Sequence, residues 1–338
     1  MATILVTGGA GYIGAHTAHL LKRHGYDVVV VDDLSRGHEH NVRGLTFHKL
    51  RMQDTAALTD LLTTSRIEAV MHFAAYIAVG ESTKVPELYF SNNTGGTISL
   101  LTAMVAAGVS KIVFSSPAAV YGMPQTVPIP ETSPYAPLSP YGDSKVMAEK
   151  ILDWMDQFRG VRSVCLRYFN ACGADAGSGL GEEHDPETHL IPLLLRAVTT
   201  GEPITLFGDD YATADGTCIR DYIHVMDLAD AHVLALRHLL DGGESQRFNV
   251  GTGAGYSVRE VVRAVEEITG REVPFRMGPR REGDAPVLVA NSDKLRTALG
   301  WRPRYTEVRE IVRSAWDFHQ RHGAASTRAK TSADLIPG

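Results

Sequence analysis

Tyr141 and Lys145, in the run Ser139-Pro-Tyr-Gly-Asp-Ser-Lys145, set a phenol and an ammonium four residues apart. A helical pattern follows in Val146, Met147, Ile151 and Leu152, with Pro140 at its start. On a helix, positions i and i+4 share a face, so both groups can point into one cleft. A free tyrosine has a pKa of about 10 and is a poor base at neutral pH. Bringing it to about 7 requires roughly 4 kcal/mol of preferential stabilisation of the phenolate. A neighbouring lysine cation acts in that direction, and so does an oxidised nicotinamide. The pair is a candidate proton-transfer site, although the same spacing is also common on helix surfaces without chemistry.

A second motif would put a nicotinamide there. Gly8-Gly-Ala-Gly11-Tyr-Ile-Gly14 follows an apolar run, Ile4–Thr7, and opens a helical pattern. Glycines in that context allow a tight turn and close approach of a pyrophosphate to the helix N-terminus. The spacing is G-x-x-G-x-x-G, unlike the G-x-G-x-x-G of many dehydrogenases. Asp32 ends the next apolar run, 18 residues past Gly14. A carboxylate there accepts ribose hydroxyls and repels a 2′-phosphate, which favours NAD over NADP. Asp33 could share the role, or either acid could be a solubilising loop residue. Arg36 is a nearby cation, so some NADP tolerance stays open.

These motifs need strands and helices to hold them. Strands are expected at Ile4–Thr7, Val28–Asp32, Thr46–Lys49, Ala69–Phe73, Lys111–Ser115 and Ser163–Tyr168. Helices are expected near Tyr12–His24, Thr55–Thr64, Tyr89–Ala107 and Tyr141–Gln157. This alternation reads as α/β, a doubly wound parallel sheet of Rossmann type. Gly173–Thr188 is a long Gly/Asp/Glu-rich loop, often a functional segment. Helices near Leu190–Thr200, Met226–Asp241, Val258–Thr269 and Ser292–Leu299 would build a smaller mixed α/β substrate lobe. The expected division is a cofactor domain over 1–170, with segments about 220–251 returning to it. A substrate lobe would fill most of 171–322, and a flexible tail 323–338. A cleft between lobes is the default ligand site.

Bulk properties narrow the class. The 338 residues carry a net charge of −6 at pH 7, which argues against nucleic acid or a membrane surface as the main partner. No apolar run approaches the roughly 18 residues of a membrane span. The chain enters a strand at once, so no signal peptide is expected. Cys165, Cys172 and Cys218 are odd in number and scattered. They fit a reducing cytoplasm, and no metal site is expected.

Taken together the motifs resemble the extended short-chain dehydrogenase/reductases, most closely the UDP-glucose (UDP-galactose) 4-epimerases. The likeness runs from about Ile4 to Gln320. It rests on Val6–Gly14, His72-Phe-Ala-Ala75, Ala78-Val-Gly-Glu-Ser82, Asn92-Asn93, Val120-Tyr-Gly122 and Ser139–Lys145. It continues through Leu166-Arg-Tyr-Phe-Asn170, His189-Leu-Ile-Pro192, Gly216–Val225, Phe248-Asn-Val-Gly251 and Arg280-Arg-Glu-Gly-Asp284. The resemblance implies transient oxidation at carbon 4 of a UDP-hexose by bound NAD, with Tyr141 removing the hydroxyl proton and hydride returning to the opposite face. It implies cofactor contacts from Gly8, Gly11, Tyr12, Ile13, Gly14, Asp32 and Asp33, and from Phe73, Ala74, Ala75, Asn92, Ser115, Tyr141, Lys145 and Tyr168. Asn170 would face the diphosphate-sugar, and Arg220 and Arg281 would bind phosphate. Asp284 would accept from the uridine ribose, and His189, Leu190 and Phe207 would border uracil. The bland alternatives are surface charge for the arginines and core packing for Phe207. His72 reads as a structural histidine, and Tyr121 and Asn93 as supports of the site wall.

The chain departs from that pattern at one telling place. The family carries a Ser or Thr where this chain has Pro117, in Phe114-Ser-Ser-Pro-Ala-Ala-Val-Tyr-Gly122. Proline offers no side-chain hydrogen-bonding group. Epimerisation is therefore expected to be impaired but not abolished, with Tyr141 acting alone, with Ser116, or with a water. Ile77 and Arg51 replace a lysine and an acid often met near the cofactor. Leu288 stands where the family gates the sugar's 2-substituent, leaning slightly to plain hexoses. Alternatives are another UDP-sugar (N-acetylhexosamine, uronate or pentose) or a non-catalytic NAD- and UDP-sugar-binding protein. Relatives dimerise through two cofactor-domain helices. Leu101, Met104, Val105, Met147 and Ile151 would permit a homodimer here, or could be intramolecular core.

Overall fold

A computed structural model describes residues 2–175, 177–281 and 283–333, with the backbone alone from 322 onward. Glu282, inside one of the motifs above, and the tail from 334 lie outside the described residues.

The six strands of the first half are β1 (Thr3–Thr7), β2 (Asp27–Asp32), β3 (Thr46–Lys49), β4 (Ala69–His72), β5 (Lys111–Pro117) and β6 (Arg162–Tyr168). The inner ones, β1 and β4 above all, are apolar almost throughout, as strands covered on both faces must be, and β3 at the edge is largely polar and exposed. β7 (Asn170–Cys172), β8 (Ile204–Phe207) and β9 (Ile219–His224) lie elsewhere. β10 (Gln246–Val250) returns to complete a seven-stranded parallel sheet, ordered β10-β6-β5-β4-β1-β2-β3. The strand order reverses between β1 and β4, and a crevice forms at such a switch point, beyond the carboxyl ends of the strands.

Helices cover both faces. α1 (Tyr12–Arg23) and, from later in the chain, α8 (Val225–Leu240) lie on one face. α2 (Thr55–Thr64), α5 (Gly96–Ala106) and α6 (Pro140–Arg159) cover the other. Between β4 and α5 stand α3 (Val79–Ser82), α4 (Pro86–Tyr89) and a π-helical turn, Phe90–Gly95. One continuous helix was expected over Tyr89–Ala107. The π turn interrupts it where Asn93 holds Tyr76 by both backbone groups, N–H to Oδ1 at 2.8 Å and Nδ2–H to O at 3.0 Å. Asn93 Nδ2 also donates to Ser144 Oγ on α6 at 3.1 Å, so one buried amide fixes the loop after β4 against the helix carrying Tyr141.

The smaller lobe centres on β9. It pairs with β7, with β11 (Gly255–Ser257) and with β13 (Val287–Leu288), while β8 pairs with β12 (Phe275–Gly278). α7 (Leu190–Thr200), α9 (Val258–Thr269) and α11 (Val308–Ala333) pack around a separate apolar cluster. β9 belongs to the smaller sheet, and the chain packs on the large sheet again from α8, within the expected returning stretch of about 220–251. α10 (Asp293–Leu299) and the buried Trp301 extend that return beyond 251. α11 continues to Ala333, through much of the segment expected as a loose tail.

Candidate active site

α6 starts cleanly. The Ser139 side chain accepts from Gly142 N–H at 3.2 Å, and Pro140 takes the first turn, where its missing N–H costs nothing. One turn on, Tyr141 and Lys145 are 8% and 3% exposed. Lys145 Nζ donates to the Ser115 carbonyl at 3.0 Å and lies 4.8 Å over the Phe114 ring. Helix and β5 thus fix each other at the active-site end. Burial pushes Lys145 down to about 8. Burial also raises the Tyr141 phenol well above its ordinary value, with Tyr168 and Tyr89 adding to the effect. Lowering the phenol for base catalysis therefore needs positive charge beyond what burial leaves here.

The glycine turn is built for a close visitor. Gly8 has φ +69°, and a Cβ on it would stand 2.5 Å from Ala74 N. A Cβ on Gly14 would stand 2.2 Å from the Gly8 carbonyl oxygen. The turn after β1 can therefore lie this close to the segment after β4 only as glycine, as the cradle of a dinucleotide requires. Asp32 Oδ2 accepts from Ala10 N–H at 3.0 Å and Oδ1 from Leu34 N–H at 2.8 Å. The carboxylate is aimed across the turn, with lone pairs left for a ribose. Arg36, the cation that could have welcomed a 2′-phosphate, pairs with Glu81 at 2.8 Å. These residues fit NAD.

Ser116, expected as a possible substitute for the hydroxyl absent at 117, faces away from that position. Side chains alternate along a strand. Ser115 and Pro117 share the face toward α8, and Ser116 points the other way. Its Oγ donates to Glu149 Oε1 at 2.5 Å, fully buried. It does not stand in for the hydroxyl missing at 117. Ser115 Oγ meets Tyr168 Oη at 2.5 Å, and Tyr168 pairs with Pro117 in register. Glu149 is the centre of a network that sequence reasoning did not find. It accepts from Arg167 Nη2 at 2.6 Å, Tyr135 Oη at 2.8 Å and Arg247 Nε at 3.0 Å. Arg167 in turn donates to Tyr121 Oη at 2.8 Å, whose hydroxyl donates to Asn249 Oδ1 at 2.7 Å.

Three of the expected substrate residues, Asn170, Arg220 and Leu288, lie on paired strands of the smaller sheet. Arg220 on β9 pairs in register with Leu288 on β13, and Asn170 on β7 pairs with Tyr222. Arg220 Nη2 also contacts Asp284 Oδ1, and Arg281 lies 4.2 Å over the Phe207 ring. So four of the expected residues fall into two touching pairs. His189, at the start of α7, is instead held through Nδ1 by Glu182 and Glu187. Burial lowers its pKa, but those two carboxylates more than offset this and raise it to about 10. His72 bonds Thr7 and Thr97 at 2.6 and 3.1 Å, as a structural histidine does. Tyr12 Oη donates to the Gly173 carbonyl at 2.7 Å, tying the long loop to the cofactor helix. Asn92 Nδ2 donates to Asn93 Oδ1 at 3.1 Å on the π turn.

Residues 4–251 match the model of the NAD dependent epimerase/dehydratase family. The chain belongs to this family. A UDP-glucose 4-epimerase of Halalkalibacterium halodurans is 48% identical over 94% of this chain and 96% of its own length. The UDP-glucose 4-epimerase of Brucella ovis, solved in complex with NAD, superposes with a TM-score of 0.91 at 46% identity, covering 94% and 98% of the two chains. That of Bifidobacterium longum, in complex with NAD+ and UDP, gives 0.90 at 36% identity, covering 95% and 99%. Family membership agrees with the glycine turn, Asp32 and the Tyr141/Lys145 pair. No helix among the described residues is long and apolar enough to cross a membrane.

Proposed function

We propose that this family member interconverts UDP-galactose and UDP-glucose through transient oxidation and re-reduction at carbon 4 of the sugar. The observation that carries the reading is the placement of buried Tyr141 and Lys145 on α6, held to β5 at the same end of the sheet as the glycine turn. The glycine turn, Asp32 and the Phe73–Ala75 segment would hold NAD. When bound, NAD supplies a hydride acceptor that returns what it takes, so no net redox occurs. Its oxidised ring also adds the positive charge that burial of Tyr141 calls for. Tyr141 removes the 4-hydroxyl proton and gives it back, and the Lys145 cation steadies the phenolate that exists before the first event and after the second. Arg220, Arg281, Asp284 and Asn170 tether the UDP while the sugar turns over. At 117 no side-chain hydroxyl relays the proton, which lowers turnover.

Conversion of UDP-galactose, followed by NADH formation with UDP-glucose dehydrogenase as the coupling enzyme, tests this directly. Turnover supports it, whereas binding of NAD and UDP without turnover would leave a binding protein. Leu288 beside Arg220 keeps a second substrate reading alive, and a panel of UDP-sugars separates N-acetylhexosamine, uronate and pentose from hexose.

A homodimer is part of the same proposal. Leu101 and Met104 are buried in the intramolecular core, with Val105 and Ile151 packed partly against it, so those residues are not its main basis. The exposed stripe Met147, Trp154 and Phe158 on α6, with Ile98 on α5, is the better candidate face. Light scattering after gel filtration tests it. Three buried unpaired cysteines favour a reducing cytoplasm.

A further inference from the structure

No metal was expected, yet the loop leading into α7 gathers Glu182, His184, Glu187 and His189. One ligand atom from each lies within 4.8 Å of all the others. His189 Nδ1 stands 2.8 Å from Glu182 Oε1 and 3.1 Å from Glu187 Oε1. His184 Nδ1 stands 3.2 Å from Glu182 Oε1 and 3.7 Å from Glu187 Oε2. Metal–ligand bonds of about 2.0–2.1 Å at tetrahedral angles set neighbouring ligand atoms roughly 3.3 Å apart. The 2.8 and 3.2 Å separations to Glu182 Oε1 lie near or below that value, whereas Glu187 offers a different oxygen to each ring and the four ligand atoms spread to within 4.8 Å, so the loop would tighten on binding an ion.

One further observation points to a cation, and a second is compatible with it. His184 Nδ1 is buried and close to both carboxylates, yet has no hydrogen bond of acceptable geometry among the described residues. A buried polar atom in that condition asks for another partner. The second observation is charge. The Glu182 and Glu187 side chains are 6% and 11% exposed, and their ion-pair partners among the described residues are the two imidazoles. Two buried carboxylates need two positive charges. Two imidazolium ions can supply them, and so can one divalent cation with two neutral imidazoles.

We propose that Glu182, His184, Glu187 and His189 form a structural site for one divalent transition-metal ion. Two imidazole nitrogens with two carboxylates suit zinc and disfavour the hard cations magnesium and calcium. All four positions are filled by protein, the mark of a structural site, not of one that activates water. The site would clamp the loop where it already leans on the cofactor half. The His184 ring stands edge-on to Tyr12 at 6.1 Å, and His38 Nε2 and His40 Nε2 reach Glu183 O and Oε2 at 2.7 and 2.8 Å. The ion would thereby fix the entry to α7 against the start of α1.

The test uses full-length, tag-free protein, stripped with chelator and then titrated with Zn2+ or Co2+. About one Zn2+ per chain should survive gel filtration, with a higher thermal midpoint than the stripped protein. Co2+ should give the visible absorption of a four-coordinate site. His184→Gln should lose metal and absorption, and His40→Gln, on the neighbouring His38/His40 pair, should keep both. Should His184→Gln not fold, X-ray absorption of the zinc-loaded wild type decides, with four nitrogen or oxygen neighbours at about 2.0 Å expected. Less than about 0.2 Zn2+ per chain, a six-coordinate spectrum, or metal lost in His40→Gln but retained in His184→Gln would overturn the proposal.

Discussion

Ser116 donates its hydroxyl to Glu149 on the face of β5 opposite Pro117, at 2.5 Å. The serine next to Pro117 in sequence is thus held in a buried network, and the proposed mechanism has Tyr141 working without it. Ser116→Ala should leave turnover within about twofold of wild type. It should cost about 1.5 kcal/mol of stability, the low end for a bond to a charged group, because the carboxylate keeps other donors. Glu149→Gln should cost more, on the order of 3 kcal/mol, because Arg167 would keep its charge in the interior without its counter-ion. Denaturant unfolding of both variants beside the epimerase assay checks the contrast. A large loss of turnover in Ser116→Ala with stability unchanged would return Ser116 to the proton path.

Lys145 predicts the alkaline limb of the pH profile. Burial lowers it to about 8, so its cation is lost as pH rises through that value. The phenolate of Tyr141 then loses a stabilising charge. The kcat should fall above about pH 8. In Lys145→Met it should be low throughout, on the order of 10²-fold or more below wild type, without that inflection. A wild-type profile flat to pH 10 would contradict this.

Acid should destabilise the fold through buried histidines. His16 and His232 are held down to about 4, and His72 and His224 to about 3, in each case first by burial. Their bonds agree: Asp175 N–H donates to His16 Nε2, and Met226 N–H to His224 Nδ1, so those nitrogens are unprotonated. The unfolded chain protonates these rings near 6.5 and the folded chain does not. Unfolding therefore takes up protons, and stability falls as pH drops below 6.5 toward the folded values. Each ring contributes at most about 1.4 kcal/mol per pH unit in that window. Below pH 6.5 the raised His184 and His189 no longer change the balance, so urea midpoints at pH 6.5, 5.5 and 4.5 should fall progressively, and equal midpoints would contradict the account.

The parallel sheet was legible because its strands are short, apolar and spaced by helical patterns. β3, α2, α7 and α9 fall on the expected residues. The π turn at Phe90–Gly95 was not legible, since Asn93 earns its place through Tyr76 and Ser144, contacts made only after folding. The Glu149–Arg167 pair joins α6 to β6 and carries no local signal. Two features were within reach. Strict alternation along Phe114-Ser-Ser-Pro117 already turns Ser116 away from position 117. Val308, Ile311, Val312 and Trp316 recur at helical spacing and announce α11. The spacing E-x-H-x-x-E-x-H over Glu182–His189 was likewise in view, but lay inside a segment read only as a loop.

The central claim is carbon-4 chemistry at Tyr141 in a site that lacks the neighbouring hydroxyl. Its most direct test is the UDP-galactose to UDP-glucose turnover number of the wild type beside Pro117→Ser. The account predicts measurable wild-type turnover and a rise on the order of 10²-fold in the variant, the contribution of a positioned proton-transfer group. A correctly folded Pro117→Ser protein that turns over no faster than wild type would contradict it.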